Sequence, residues 1–256
     1  MPLRIGIMGV AGRMGRLLVE EVAAAGAEMA GGTARGGAPP GGVPAFPDAD
    51  ALLAACDVAI DFTHAASAAG HADAAARAGK PLVLGTSGLS AEAEAALARA
   101  AERVPVVYAA NFAPGVNLVL ALAERMAAAL PADAYDAEIL EMHHRQKVDA
   151  PSGTALALGR AVARGRGTTL EAAGVESGRD GQCGARGTGT IGFAALRGGQ
   201  VIGEHTLLFA AGAEQIALTH RSFDRRAYAT GAVRAALWVR GKAPGLYDMK
   251  HVLGMN

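Results

Sequence analysis

The opening residues constrain the fold most. The largely apolar run Leu3–Met8 feeds directly into Gly9-Val10-Ala11-Gly12-Arg13-Met14-Gly15, and Arg13–Ala25 continues with helix-favouring residues. A short apolar run followed at once by a helix is the unit from which parallel sheets covered on both faces are built. The unit recurs. Asp57–Phe62, Pro81–Leu84 and Pro105–Tyr108 read as further strands, with Ala65–Ala78 and Ser90–Ala101 as the helices between them. Gly36–Pro47, rich in Gly and Pro, reads as a surface loop.

The rhythm changes after Ala113. Val116–Leu130 reads as a helix, Asp136–Met142 as a strand and Thr154–Arg164 as a second helix, before a polar, Gly-rich stretch from Gly165 to Gly189. That stretch reads equally well as a mobile lid or as plain surface. Three strands follow, Ile191–Leu196, Val201–Phe209 and Gln215–Thr219. The short links Arg197-Gly198-Gly199-Gln200 and Ala211-Gly212-Ala213-Glu214 are hairpin signals, so this second sheet is expected to be mostly antiparallel. The last helix, Arg225–Val239, carries an apolar stripe that includes Val233, Leu237 and Trp238, and is placed back on the first domain. The fold class is therefore α/β, a Rossmann-like parallel sheet followed by an α+β domain.

Composition removes several functional classes. With 24 basic and 24 acidic residues, 51% hydrophobic content and 4% aromatic content, the chain has neither the charge nor the stacking surface of a nucleic-acid binder. No apolar run reaches the ~18 residues that span a bilayer, and the N-terminus lacks a cleavable signal pattern, so a cytoplasmic protein is expected. Cys56 and Cys183 are isolated, and no metal site is assigned. Since 35 glycines are present, a glycine carries weight only where its place relative to a strand and helix is right.

That condition holds at Gly9, Gly12 and Gly15, which stand at the first strand-to-helix turn. The spacing is G-x-x-G-x-x-G. Glycines there let the backbone approach a pyrophosphate, and the helix start offers free N–H groups. The second strand of such folds normally ends in an acid that binds ribose. Here Gly32-Thr33-Ala34-Arg35 has no acid and has an arginine, which matches a 2′-phosphate and favours NADPH over NADH. A solvated loop charge is the alternative reading of Arg35. The loops Gly85-Thr86-Ser87-Gly88 and Ala110-Asn111-Phe112-Ala113 also leave strand ends, where nicotinamide and its ribose are expected.

The most specific run is Glu141-Met142-His143-His144-Arg145-Gln146-Lys147-Val148-Asp149-Ala150-Pro151-Ser152-Gly153-Thr154. Cationic side chains precede a Pro-Ser-Gly-Thr helix start, a combination that receives a carboxylate. Adding hydride to C=C or C=N leaves an anion to be protonated, and histidine is the usual acid. Zinc binding by His143 and His144 is a poor alternative, because adjacent residues diverge and no further ligands are suitably spaced.

Together these residues resemble the dihydrodipicolinate reductase family, also called 4-hydroxy-tetrahydrodipicolinate reductases. The likeness extends through Ile191-Gly192-Phe193, Gly203-Glu204-His205-Thr206, Ala232–Trp238 and Gly245-Leu246-Tyr247-Asp248-Met249, covering nearly the whole chain. The resemblance implies reduction of a cyclic imino dicarboxylate to tetrahydrodipicolinate with NADPH or NADH, in the diaminopimelate route to lysine, by a homotetramer. It implies His143 as proton donor with Lys147 as catalytic partner, and His144, Gly153 and Thr154 as carboxylate ligands. It places Gly9, Val10, Ala11, Gly12, Arg13, Met14, Arg35, Gly85, Thr86, Ser87, Ala110, Asn111, Phe112 and Ala113 at the cofactor. It divides the chain into a dinucleotide-binding domain at 1–112, a substrate-binding and tetramerisation domain at 113–222, and a returning segment at 223–256. Ala34 stands where members often have an acid, Ala113 where many have Ser, and the Gly36–Pro47 loop is shortened.

A sugar-dehydrogenase type of oxidoreductase is the near rival, since that type also carries a Lys-Pro near the end of strand 4, as Lys80-Pro81 is read here. A non-catalytic nucleotide sensor is the rival from another class.

Overall fold

The computed structural model describes residues 1–255. In chain order the elements are β1 (Arg4–Met8), α1 (Arg13–Ala24), β2 (Glu28–Thr33), α2 (Ala49–Ala55), β3 (Val58–Asp61), α3 (Ala65–Ala78), β4 (Leu82–Leu84), α4 (Ala91–Ala101) and β5 (Pro105–Tyr108). Then come α5 (Pro114–Ala129), β6 (Asp136–His143), α6 (Gly153–Gly165), α7 (Leu170–Ala173), β7 (Val175–Ser177), β8 (Ile191–Arg197), β9 (Gly203–Ala210) and β10 (Gln215–Ser222). The chain closes with α8 (Arg226–Trp238), β11 (Gly245–Tyr247) and α9 (Met249–Leu253). The chain forms two compact units, Gly115–Arg225 and the remainder, so the end of the chain belongs with its beginning.

The first unit is a six-stranded sheet in the order β11-β5-β4-β3-β1-β2, and every ladder is parallel. Its central strands are apolar because both faces are covered: Ile5, Ile7, Ile60 and Val83 meet α1 and α8 residues on one side, and Met8, Ala59 and Leu82 meet α2, α3 and α4 on the other. The returning helix α8 packs through Ala229, Ala232, Val233 and Ala236, and Arg226 is tied to Glu20 and Glu21 of α1. Gly231 permits this: a Cβ there would stand 1.7 Å from the Phe112 carbonyl oxygen. Between β1 and β3 the winding reverses, which is where open α/β sheets bind ligands. The short helix α2, capped by Asp48, and the edge strand β11 have no counterpart in the sequence reading.

The second unit is a five-stranded mixed sheet in the order β10-β9-β6-β8-β7. Its two antiparallel ladders, of eight and seven residue pairs, outweigh the two parallel ones of seven and three. Ala211–Glu214 does close the β9–β10 hairpin, through the Ala211 N–H donating to the Glu214 carbonyl. Arg197–Gln200 does not close one. β6 lies between β8 and β9, parallel to the first and antiparallel to the second, so this link steps over the end of β6 instead. The Gly198 N–H donates to the His143 carbonyl and the Arg145 N–H to the Gly199 carbonyl, which gives the glycine pair its partner. The stretch 165–189 is not structureless either, since it contains α7 and the edge strand β7. Among the described residues no helix is long and apolar enough to cross a membrane.

Candidate active site

Strand alternation explains the placement of the polar cluster in the second unit. On β6, Ala137 and Ile139 face the α5 and α6 side and are buried in the core with Leu207 and Phe209. The same face continues through Glu141, 1% exposed, and His143, 8% exposed. Register then brings His205 of β9 opposite Glu141, and Arg197 of β8 opposite His143. The helix-covered face of the sheet thus ends in four ionisable groups instead of hydrocarbon.

Their hydrogen bonds are mutually consistent. Glu141 Oε2 lies 2.6 Å from His143 Nδ1 and accepts from Arg197 Nη1 at 2.8 Å. Glu141 Oε1 accepts from Arg197 Nη2 at 2.8 Å and from the Ser152 N–H at 3.1 Å. Ser152 is also the N-cap of α6: its Oγ accepts from the Ala155 N–H at 3.2 Å and lies 2.9 Å from His205 Nε2. The helix start is therefore fastened to the strand end. Gly153 and Thr154 are its first residues, whose N–H groups have no partner inside a helix. Apart from its chain neighbours and its own helix backbone, no described residue lies within 4 Å of where a Cβ on Gly153 would stand, so this glycine keeps open space at the helix start.

Lys147 sits on the loop between β6 and α6, with Nζ 2.7 and 2.9 Å from the two oxygens of Asp149. His144 follows the last strand residue and joins none of these hydrogen bonds; its Nδ1 is buried without a partner. Arg145 is exposed. Electrostatics follow from burial. Desolvation pushes the His143 imidazole below its ordinary pKa; Glu141 works against this, and Lys147 and Arg197 reinforce it. Burial pushes the Glu141 carboxyl up, but hydrogen bonds from Arg197 and His143 outweigh it and hold the pKa below the ordinary value. Burial lowers His205 to about 4, so its ring is neutral near pH 7. It stands edge-on to His143, with ring centroids 5.1 Å apart.

In the first unit the glycine turn has the form a dinucleotide needs. Gly9 has φ +80°, and its N–H and that of Val10 both donate to the Thr33 carbonyl, at 2.9 and 3.0 Å. A Cβ on Gly15 would stand 2.3 Å from the Gly9 carbonyl oxygen, so the helix approaches the turn as only glycine allows. The N-cap of α1, Gly12, supplies no side-chain acceptor, and the first turn carries no acid, which leaves that N-terminus to an anion. Beside it opens a cavity of about 580 Å³, lined by Gly9, Ala11, Gly12, Thr33–Gly36 and Phe62–His64 among others. Arg35 lines it and donates from Nη2 to Ser67 Oγ at 2.8 Å. Its two acids are engaged: Asp48 caps α2, and Asp50 holds Arg77 at 2.9 Å. The residues present fit a nicotinamide dinucleotide.

The other expected cofactor residues are placed less uniformly. Arg13 is exposed and Met14 half-buried, whereas Val10, Phe112 and Ala113 are buried, backbone included. Gly85, Thr86, Ser87, Ala110 and Asn111 leave the ends of β4 and β5 and lie outside that cavity's lining. The Thr86 hydroxyl donates to the Thr63 carbonyl at 3.1 Å, tying the β4 loop to the β3 loop. Asn111 Oδ1 accepts from the Ala113 N–H at 2.9 Å.

Sequence reasoning passed over Ser152, Arg197 and His205 as site residues and gave Glu141 no task. The signal for Glu141 and His143 was present, since positions 137, 139, 141 and 143 form one period-2 face that begins apolar. It likewise passed over Asp61, wholly buried at the end of β3, whose carboxylate is 2.7 Å from His71 Nδ1 and accepts from the Thr63 N–H at 2.8 Å. Asp61 braces the loop that lines the nucleotide cavity.

A parallel-sheet nucleotide unit and a separate unit bearing a buried Glu–His pair define a dinucleotide-dependent oxidoreductase. The family models "Dihydrodipicolinate reductase, N-terminus" and "Dihydrodipicolinate reductase, C-terminus" match residues 3–112 and 115–253. The 4-hydroxy-tetrahydrodipicolinate reductase of Granulibacter bethesdensis is 65% identical over 257 residues, 99% of this chain and 98% of that protein. The enzyme of that name from Gluconacetobacter diazotrophicus is 64% identical, with 99% and 98% covered. A dipicolinate-bound dihydrodipicolinate reductase from Paenisporosarcina sp. TG-14 superimposes with TM-score 0.82 at 26% identity, covering 97% of this chain and 98% of that one. The chain belongs to the dihydrodipicolinate reductase family.

Proposed function

We propose that the chain reduces the cyclic imino dicarboxylate formed from 4-hydroxy-tetrahydrodipicolinate by loss of water, giving tetrahydrodipicolinate in the diaminopimelate route to lysine. The observation that carries this reading is the Glu141–His143 pair fastened beside the open, Gly153-led start of α6, with Lys147 on the connecting loop. Bound NAD(P)H supplies the hydride, delivered to C4 of the substrate ring. His143 then gives the proton that completes the reduction, from Nε2, the nitrogen outside the Glu141 hydrogen bond. The amides of Gly153 and Thr154 receive one carboxylate at the helix start, where the helix dipole favours negative charge. Lys147 exchanges Asp149 for a substrate carboxylate, and His144 offers its unpartnered Nδ1 to the same end. A dianionic substrate opposes the lowering of the His143 pKa, so the acid is charged best when substrate is present. The direct test is NAD(P)H oxidation that depends on freshly formed cyclic substrate.

Within the same reading, NADPH is the preferred cofactor. The end of β2 offers Thr33, Ala34 and Arg35 and no carboxylate to bind a ribose diol, while Arg35 is held over the cavity by Ser67. Arg35→Ala should raise KM for NADPH by about tenfold or more and leave NADH nearly unchanged, since a charge-assisted contact is worth about 1.5–3 kcal/mol. Comparing kcat/KM for both cofactors in the two proteins checks this, and NADH preference in the unaltered enzyme would overturn it. The first unit is then the dinucleotide-binding domain and the second the substrate domain. The remaining face of the second sheet supports a homotetramer: Leu140 and Leu196 lie there 39% and 48% exposed, on the opposite side from Ile139. A soluble substrate and a soluble cofactor support the cytoplasm as its compartment.

A further inference from the structure

Glu141 is the most deeply buried charged group of the second unit, and the mechanism above gives it no direct contact with substrate. Three groups converge on it through four hydrogen bonds. The Arg197 guanidinium and the Ser152 N–H can only donate, and they occupy three of the four acceptor positions that a carboxylate offers. The fourth is taken by His143 Nδ1 at 2.6 Å. A carboxylate paired with a fork of Arg197 stays ionised and has no hydrogen to give. His143 Nδ1 must therefore be the donor.

We propose that Glu141, locked by Arg197 and Ser152, is a positioning residue that fixes His143 in the Nδ1–H tautomer, so that the proton exchanged with substrate is always the one on Nε2. This rests on the reading of His143 as the proton donor. The logic is that of a histidine oriented by a buried carboxylate, in which the acid sets tautomer and ring orientation without itself becoming protonated. Gly203 completes the arrangement, because a Cβ there would reach to 3.0 Å from Nε2 and crowd the working nitrogen.

The groups facing His143 come from four segments. Glu141 on its own strand favours the protonated ring, while Lys147 on the following loop and Arg197 on β8 oppose it. His205 on β9 is in ring contact but uncharged, its Nε2 occupied by Ser152. Asp149 shares the charge of Lys147 and, through its carbonyl, accepts from Arg197 Nη2. Glu141 is thus the single anionic group in direct contact with the ring among the described residues, and it alone offsets burial.

Two measurements decide the proposal. In the unaltered protein labelled with ¹⁵N-histidine, with His143 assigned by its loss in His143→Gln, the neutral ring should show a directly bonded proton at Nδ1 and none at Nε2. A proton on Nε2 overturns the proposal, and this arm needs neither turnover nor a foldable Glu141 variant. In Glu141→Gln, kcat should fall by about 10²–10⁴-fold, as when a catalytic histidine loses its orienting carboxylate. The pH at which kcat/KM is lost on raising pH should move downward, because the group that raises the His143 pKa has lost its charge. A lowered kcat with the pH limb unmoved means a merely structural glutamate and overturns it. His143→Gln at full kcat would instead remove the acid reading, and this proposal with it.

Discussion

His143→Gln is expected to lower kcat by about 10²–10⁴-fold, the usual contribution of a positioned general acid, while dinucleotide affinity stays unchanged. The reason is local. Gln preserves volume and a hydrogen-bond donor toward Glu141, so the buried carboxylate keeps a partner and the strand end keeps its packing. What it lacks is a transferable proton. The pH dependence of the unaltered enzyme carries the same information with a definite sign. Because burial holds the His143 pKa below the ordinary histidine value, kcat/KM should decline as pH rises through a midpoint below that value. In kcat the midpoint should lie higher, since bound dicarboxylate favours the imidazolium. Steady-state rates across the pH range in both proteins check it; a flat profile, or a His143→Gln enzyme with full kcat, would remove the acid role.

Lys147→Ala should lower kcat/KM by about 10²–10³-fold, comparable to loss of one charge-stabilising donor at a reacting group. The Lys147 side chain is 20% exposed and already holds a carboxylate, that of Asp149, at 2.7 and 2.9 Å. That contact shows that the ammonium can be held in place by two oxygens, and Asp149, with its side chain 55% exposed, is free to yield to a substrate carboxylate. Arg145, two residues earlier and exposed, carries the same charge without such a contact, and Arg145→Ala should change kcat/KM no more than a few-fold. Measured side by side, equal losses in the two variants would mean that general positive charge, not a placed ammonium, attracts the substrate.

Much of the first unit was legible in the sequence because its strands are buried on both faces. β1, β3, β4 and β5 are short apolar runs with few alternative readings, and Gly9, Gly12 and Gly15 mark the one turn where backbone must come close to backbone. What escaped was set by distant partners. β11 is three residues whose identity as a strand comes from pairing with β5, about 140 residues earlier in the chain. Arg197-Gly198-Gly199-Gln200 has the composition of a tight turn, yet β6 claims both flanking strands because its Ala137–Ile139 face needs Ile191, Phe193, Leu207 and Phe209 to fill one core. The site divides in the same way. His143 and Lys147 were visible from their company before a helix start. Arg197 and His205 are 54 and 62 residues beyond His143, and nothing local to them distinguishes a solvated side chain from one that holds a buried carboxylate, as Arg197 does, or contacts a helix cap, as His205 does.

The most direct measurement is NADPH oxidation by the purified protein with 4-hydroxy-tetrahydrodipicolinate generated in the same cuvette. Rapid oxidation that starts only when the cyclic substrate forms, and is lost in His143→Gln, is the result expected. Tight binding of NADPH without substrate-dependent oxidation would contradict it, and would make the chain a nucleotide-binding member of its family that has lost the reaction.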